Sequence, residues 1–184
     1  SWVWRDYPGS LTFSFDTFRS VIKDIVVSLD RNRCRALLIL TTHGANPQPI
    51  KYASRELVDY TSIRVLRAFY PNLSQIITDA DSTTWQSANF HAEEFETSLM
   101  LYLHPNLVDM TKAVSEYPPY SLDYEMSTLP MGALSESGVF GDATVATVEK
   151  GEKWFNRCVA NIVQVWSEFL DLPNDEPSDL YEIN

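Results

Sequence analysis

A run of five apolar residues, Ala36 to Leu40, limits the possible folds of this chain more than any other segment. Long stretches with helical spacing of apolar residues lie on both sides of it, and polar turn residues follow it directly. A short continuous run of this kind is typical of a strand that is buried on both faces, as in a parallel sheet. The sequence therefore predicts an α/β protein with a mostly parallel central sheet flanked by helices.

The spacing of apolar residues predicts the elements around this strand. Helices are expected from Ser14 or Asp16 to about Asn32, and at 49–70, 92–103 and 143–170. A second short strand is expected at 75–78, and a long loop rich in Pro, Tyr, Ser and Gly at 113–141. A single domain over residues 1–170 follows, with an acidic tail at 171–184.

Charge and cysteine content exclude several classes of function. The formal net charge of −11 has the wrong sign for binding phosphates, so nucleic acid and anionic membranes are not expected as partners. No apolar run approaches the roughly 20 residues that a membrane span requires. The two cysteines, Cys34 and Cys158, lie in apolar stretches and suggest reduced core thiols, which predicts a cytoplasmic protein.

Two histidines stand where chemistry is expected. His43 follows the predicted buried strand and precedes the small residues Gly44 and Ala45, at the sheet edge where α/β proteins bind ligands. His91 opens a predicted helix that carries three carboxylates in its first turns, those of Glu93, Glu94 and Glu96. A His and a Glu three residues apart on a helix can hold one divalent ion. The alternatives are a hydrogen-bonded structural His43 and an acidic first turn that favours the helix dipole.

The remaining candidates are weaker. The segment 135–144 contains glycines and enters a helix, but a tight turn with Asp142 as the helix cap explains it better than a phosphate loop. Neither cysteine neighbours a histidine, which disfavours a thiol nucleophile. Ser137 lacks the Gly-x-Ser-x-Gly pattern of serine hydrolases.

Five segments together resemble the creatininase family of amidohydrolases: 7–12 (YPGSLT), 41–46 (TTHGAN), 91–98 (HAEEFETS), 137–142 (SGVFGD) and 149–152 (EKGE). The resemblance covers nearly the whole chain. It implies a three-layer α/β fold, an oligomer, and hydrolysis of an amide or cyclic C–N bond in a small molecule. It also implies a centre of two divalent ions, commonly zinc, manganese or iron.

The resemblance also implies roles for single residues. His43 matches a metal ligand of the family, and His91 matches the acid/base that protonates the departing nitrogen. Glu94 is expected to replace a ligand lost at Ala45, and Glu96 to bind metal or to hold the neighbouring ligands in place. Bulkier residues at Thr41, Thr42 and Glu93 make creatinine itself a doubtful substrate.

The family's other ligands, a Glu-x-His pair and a bridging Asp, align upstream of Ser1. The fold is therefore expected to lack its N-terminal portion, and an upstream segment or a second polypeptide is expected to supply those ligands. The rival interpretation is a non-catalytic scaffold or regulatory subunit that kept the creatininase-like fold and lost the metal centre.

Overall fold

The computed structural model describes residues 2–78, 91–119 and 128–173. In these ranges the longer elements are α1 (Phe15–Arg31), β1 (Ala36–Leu40), α2 (Pro47–Leu57), β2 (Arg64–Ala68), α3 (Leu73–Thr78), α4 (Glu94–Leu103), β3 (Ser115–Glu116), β4 (Gly141–Asp142) and α5 (Val148–Asp171). Short 3-10 turns lie at Trp2–Trp4, Pro105–Leu107, Met110–Lys112 and Met131–Ala133. The loop expected before His91 and most of the expected tail lie outside the described residues.

Strands β1 and β2 pair in parallel, from Ala36 opposite Arg64 to Leu40 opposite Ala68. On one face of the pair Leu37 and Val65 pack against a buried cluster that includes Val26 of α1 and Leu57 of α2. Arg64 projects to the other face, because side chains alternate along a strand. There its guanidinium reaches backbone carbonyls at the end of α5. Helices thus flank the sheet, and the predicted α/β fold with a parallel sheet is confirmed.

The first predicted helix agrees closely with α1. The last agrees with α5 at its end, but α5 begins five residues later than predicted, at Val148. Helix α1 begins after Ser14, whose hydroxyl oxygen accepts the backbone N–H of Thr17 at 3.2 Å, as an N-cap residue should. Helix α5 is capped by Thr147, which accepts the N–H of Lys150 at 3.2 Å. The prediction of Asp142 as this cap is wrong, because its carboxylate accepts the N–H of Thr144 in a turn before the helix.

The predicted helix at 49–70 is wrong in its second half. Helix α2 ends at Leu57, and after a turn the chain forms β2, which pairs with β1. Over so short a stretch the apolar residues Ile63, Val65 and Leu66 fit the spacing of a helix as well as that of a strand. Pairing with β1 makes this segment a strand. The strand predicted at 75–78 is also wrong. This segment belongs to α3, where Ile76 and Ile77 are both buried in a helical core.

A second core joins α3, α4 and α5 around Trp154 and Phe95, which are fully buried. Helices α4 and α5 approach so closely that a Cβ on Gly151 would lie 1.9 Å from the carbonyl oxygen of Ser98. The contact fixes the middle of α4 against the start of α5. Cys158 is buried here, as predicted, but Cys34 is exposed, so its placement in the core is wrong. Among the described helices none has the length and apolar character of a membrane span.

Candidate functional site

The turn after β1 places His43 at the carboxyl edge of the sheet. The backbone N–H of Thr41 donates to Ala68 at 3.0 Å and extends the β1–β2 ladder by one bond. The side-chain amide of Asn46 donates to the Thr41 hydroxyl at 3.1 Å, and the Asn46 N–H donates to the His43 carbonyl at 3.0 Å. These bonds close a tight turn that holds His43 half-buried.

The start of α4 carries His91 and Glu96. His91 forms a two-way backbone bridge with Phe140, and the Phe140 N–H donates to the His91 carbonyl at 2.8 Å. The imidazole Nδ1 lies 3.5 Å from Oε2 of Glu96. The same oxygen accepts the backbone N–H of Ala92 at 2.7 Å. One carboxylate therefore accepts a hydrogen bond from the turn and faces the Nδ1 edge of the imidazole.

Glu93 caps α4 and allows this turn to form. Its carboxylate accepts the N–H of Phe95 at 3.0 Å, and burial raises its pKa to about 7. Ala92 has a φ of +51°, a left-handed conformation that a non-glycine residue adopts only under constraint. The backbone of Gly141, with a φ of +134°, lies close to Glu93. A Cβ on Gly141 would lie only 2.6 Å from Glu93 Cβ, so this position has no room for a side chain.

Electrostatic interactions connect His43, His91 and Glu96. Burial lowers the pKa of His43, the charge of His91 lowers it further, and the charge of Glu96 raises it. Burial lowers the pKa of His91 to about 4. Burial raises the pKa of Glu96, while the Ala92 N–H and the charge of His43 oppose that rise. His43 therefore lies within electrostatic range of His91 and of Glu96 in the first turn of α4.

A divalent ion would find part of a ligand set here. The Nε2 atom of His43 is buried and has no hydrogen-bond partner among the described residues. A neutral imidazole with an unused nitrogen is the form that binds metal. Residues 2–78, 91–119 and 128–173 nevertheless contain no group of three or more His, Cys, Asp or Glu side chains that could hold an ion. His43 and Glu96 fit a metal site and do not complete one.

Glu94 is paired with a lysine of α5. Its side chain has no exposed surface, and its Oε1 lies against the Nζ of Lys150 from α5. Lys150 also donates to the carbonyl of Val145 at 3.0 Å. The ligand role expected for Glu94 stays a prediction, and in this structure its carboxylate is paired with an ammonium group.

Sequence reasoning missed three side chains of the site. Trp4 stacks on His91, and Tyr70 lies near Glu96, where burial and the charge of Glu96 together raise the Tyr70 pKa to about 12. The third, Lys150, lies beside the site and pairs with Glu94. Tyr70 follows the carboxyl end of β2, so a correct assignment of that strand would have pointed to it. Nothing in the spacing of the sequence pairs Trp4 with His91.

The fold and the site define an α/β protein with a histidine–carboxylate cluster at the carboxyl edge of a parallel sheet. A family model described as creatininase, creatinine amidohydrolase, matches residues 1–166. The chain belongs to the creatininase family.

Individual relatives agree with this assignment. The creatinine amidohydrolase of Pseudomonas putida is 28% identical over 175 residues, which make up 88% of this chain and 66% of that protein. A mutant creatininase of the Zn-Zn type superposes with a TM-score of 0.77 at 26% identity, covering 91% of this chain and 69% of that one. A manganese creatininase gives 0.74 at 27% identity, with the same coverage. This chain thus spans just under two thirds of the curated relative's length.

Proposed function

We propose that this chain carries part of the active site of a metal-dependent amidohydrolase that cleaves an amide or cyclic C–N bond in a small molecule. One observation carries the proposal. The buried, unpartnered Nε2 of His43 lies in the same cluster as Glu96 and His91. A creatinine amidohydrolase relative, and solved creatininases of zinc and manganese types, support this reaction class.

His43 Nε2 and the Glu96 carboxylate would hold a divalent ion, either zinc, manganese or iron, in a centre of two ions. Bound metal of this kind lowers the pKa of a water molecule and polarises a carbonyl group. The described residues supply no group of three ligands. We expect an upstream segment or a partner polypeptide to supply the others. Glu94, whose Oε1 lies against the Nζ of Lys150, would offer the ion its other carboxylate oxygen.

His91 would move the proton. With its pKa lowered to about 4, its imidazole is neutral at pH 7 and must accept a proton before it can donate one. Glu96 faces Nδ1, so Nε2 is the nitrogen left to accept a proton from the attacking water and deliver it to the departing amide nitrogen. The proton that His91 takes from the water is thus the one that it gives to the departing nitrogen, and no other proton donor is needed.

A second candidate function is a non-catalytic scaffold or regulatory subunit of the same fold. The lack of a three-ligand group among the described residues favours it, as does the pairing of Glu94 with Lys150. The cytoplasmic location and the oligomer remain predictions from the sequence and the family.

Three variants test the enzyme. The chain, expressed with any polypeptide that copurifies, would be analysed for bound zinc, manganese and iron and assayed on creatinine and other small cyclic amides. His43→Ala should lose metal and turnover, whereas His91→Ala should keep the metal and lose turnover by about 10²- to 10⁴-fold. His104→Ala, at the exposed end of α4, is the matched control. A wild-type protein without divalent metal, or an active His91→Ala variant, would contradict the proposal and favour the scaffold.

A further inference from the structure

The indole of Trp4 lies flat on the imidazole of His91. The two ring centroids are 3.7 Å apart and the planes differ by 21°. Phe140, the backbone partner of His91, meets the same indole edge-on, with centroids 5.8 Å apart and planes at 73°. One face of the imidazole is therefore covered by protein, and a substrate can reach His91 only from an edge or from the opposite face.

Contacts remote from His91 fix the segment that carries Trp4. The Tyr7 hydroxyl donates to the carbonyl of Ser135. Gly138, with a φ of +83°, packs on the Tyr7 ring, and Gly132 packs on Asp6, where a Cβ would come within 2.8 Å. Small residues at both positions let the segment lie close against the loop. The position of Trp4 is thus set by its neighbours and does not depend on the stack alone.

His91 is constrained from three directions. The bridge to Phe140 fixes its backbone, Glu96 faces its Nδ1 edge, and Trp4 covers its face. Without the indole, the ring could turn about its side-chain bonds while its backbone stayed in place. We propose that Trp4 is a positioning residue, which holds the plane of the His91 imidazole so that Nε2 points at the reacting atoms. This inference rests on the proposed function.

The stacked ring of Trp4 and its N–H group can be considered separately. The Nε1 atom of Trp4 is buried and has no hydrogen-bond partner among the described residues. An unsatisfied buried donor is destabilising, so the indole N–H does not explain why the residue is there. A phenyl ring would keep a stacked face without the buried donor. Trp4→Phe is therefore the conservative variant, and Trp4→Ala is the disruptive one.

NMR of the histidine rings tests the stack independently of activity. The chain has three histidines, so the ring signal lost in His91→Ala identifies that residue. Stacking on an indole shifts the ring protons upfield. The His91 signals should move downfield in Trp4→Ala, should stay largely upfield in Trp4→Phe, and should not move in Trp2→Ala, which alters the same segment at a residue that contacts Arg5. Unchanged His91 signals in Trp4→Ala would overturn the inference.

Kinetics then tests what the stack does. Misplacement of a catalytic group costs up to about 10²-fold, so Trp4→Ala should lose roughly tenfold to a hundredfold in kcat with little change in KM on creatinine or the best cyclic amide. Trp4→Phe should recover most of that loss. A Trp4→Phe variant as impaired as Trp4→Ala, or a loss confined to KM, would contradict a positioning role. A wild-type chain with no turnover would instead overturn the proposed function, while the NMR shifts would still report the stack.

Discussion

Lys150 reaches from the first turn of α5 to Glu94, the first residue of α4, and places its ammonium group against a carboxylate that is fully buried. The lysine is itself only 21% exposed. The pair therefore joins the starts of two helices, and one of those starts carries His91 and Glu96. A buried charge without its partner is costly, so the two residues depend on each other.

Replacing Lys150 by Ala should destabilise the protein by up to about 3–5 kcal/mol, because the buried Glu94 carboxylate would lose the ammonium group that lies against it. Urea unfolding monitored by circular dichroism measures this loss. The double variant Lys150→Met, Glu94→Leu should lose much less than the single one, since no unpaired charge remains. The single variants Lys150→Met and Glu94→Leu complete the cycle, and losses that simply add in the double variant would show that the pair is not coupled.

Arg64 should stabilise the end of α5. Its guanidinium donates to the carbonyls of Phe169 and Leu172 at 3.3 and 2.9 Å, and lies 5.1 Å from the centroid of the Phe169 ring. A cation at a helix C-terminus contributes up to about 2 kcal/mol when partly buried. Arg64→Ala should therefore lose about 1–2 kcal/mol in the same assay. Arg67→Ala, on the same strand but exposed, should change stability by less than about 0.5 kcal/mol, and equal losses would contradict the capping role.

The sequence predicted the elements whose signals are local and repeated. Helix α1 has a capping Ser14 and several turns of apolar spacing, so both of its ends could be located. Strand β1 is apolar on both faces and bounded by turn residues. Strand β2 was missed because the three-residue spacing of the apolar residues Ile63 and Leu66 also fits a helix, and only pairing with β1 excludes that alternative.

For the site, too, the sequence could identify some residues but not the contacts between them. His43 and His91 could be chosen from the sequence because each lies where an element ends or begins. Glu94 and Glu96 are two residues apart and point in different directions along the helix, so spacing alone could not show that one meets Lys150 and the other His91. The stack of Trp4 on His91 joins residues 87 positions apart and has no local signal.

Gly151 should be intolerant of any side chain. A Cβ there would lie 1.9 Å from the Ser98 carbonyl oxygen and 2.9 Å from the Cβ of Tyr102, so α4 and α5 would have to separate. Gly151→Ala should therefore destabilise the protein by at least about 1–3 kcal/mol in spite of the better helix propensity of Ala. Gly44→Ala is the matched control, because no atom lies within 4 Å of its added Cβ. A neutral Gly151→Ala variant would show that the helices can separate freely.

Titration of Glu93 should make the free energy of unfolding depend on pH. Burial raises its pKa from an ordinary 4.5 to about 7, so between these values the folded chain binds a proton that the unfolded chain does not. The free energy of unfolding then falls as pH rises through this window, by up to about 3 kcal/mol, and is constant above it. Below pH 4.5 the carboxyl is protonated in both states and the effect is absent.

Glu93→Gln removes this titration and keeps an oxygen that can accept the N–H of Phe95. Its stability relative to the wild type should therefore be higher at pH 8 than at pH 5, because only the wild type has to bury a carboxylate at pH 8. Urea unfolding at both pH values, with EDTA present to remove divalent ions, measures the difference. If the difference in unfolding free energy between Glu93→Gln and the wild type does not change with pH, Glu93 has the same pKa in the folded and unfolded chain. Its hydrogen bonds from two backbone N–H groups would then fully offset the effect of burial on that pKa.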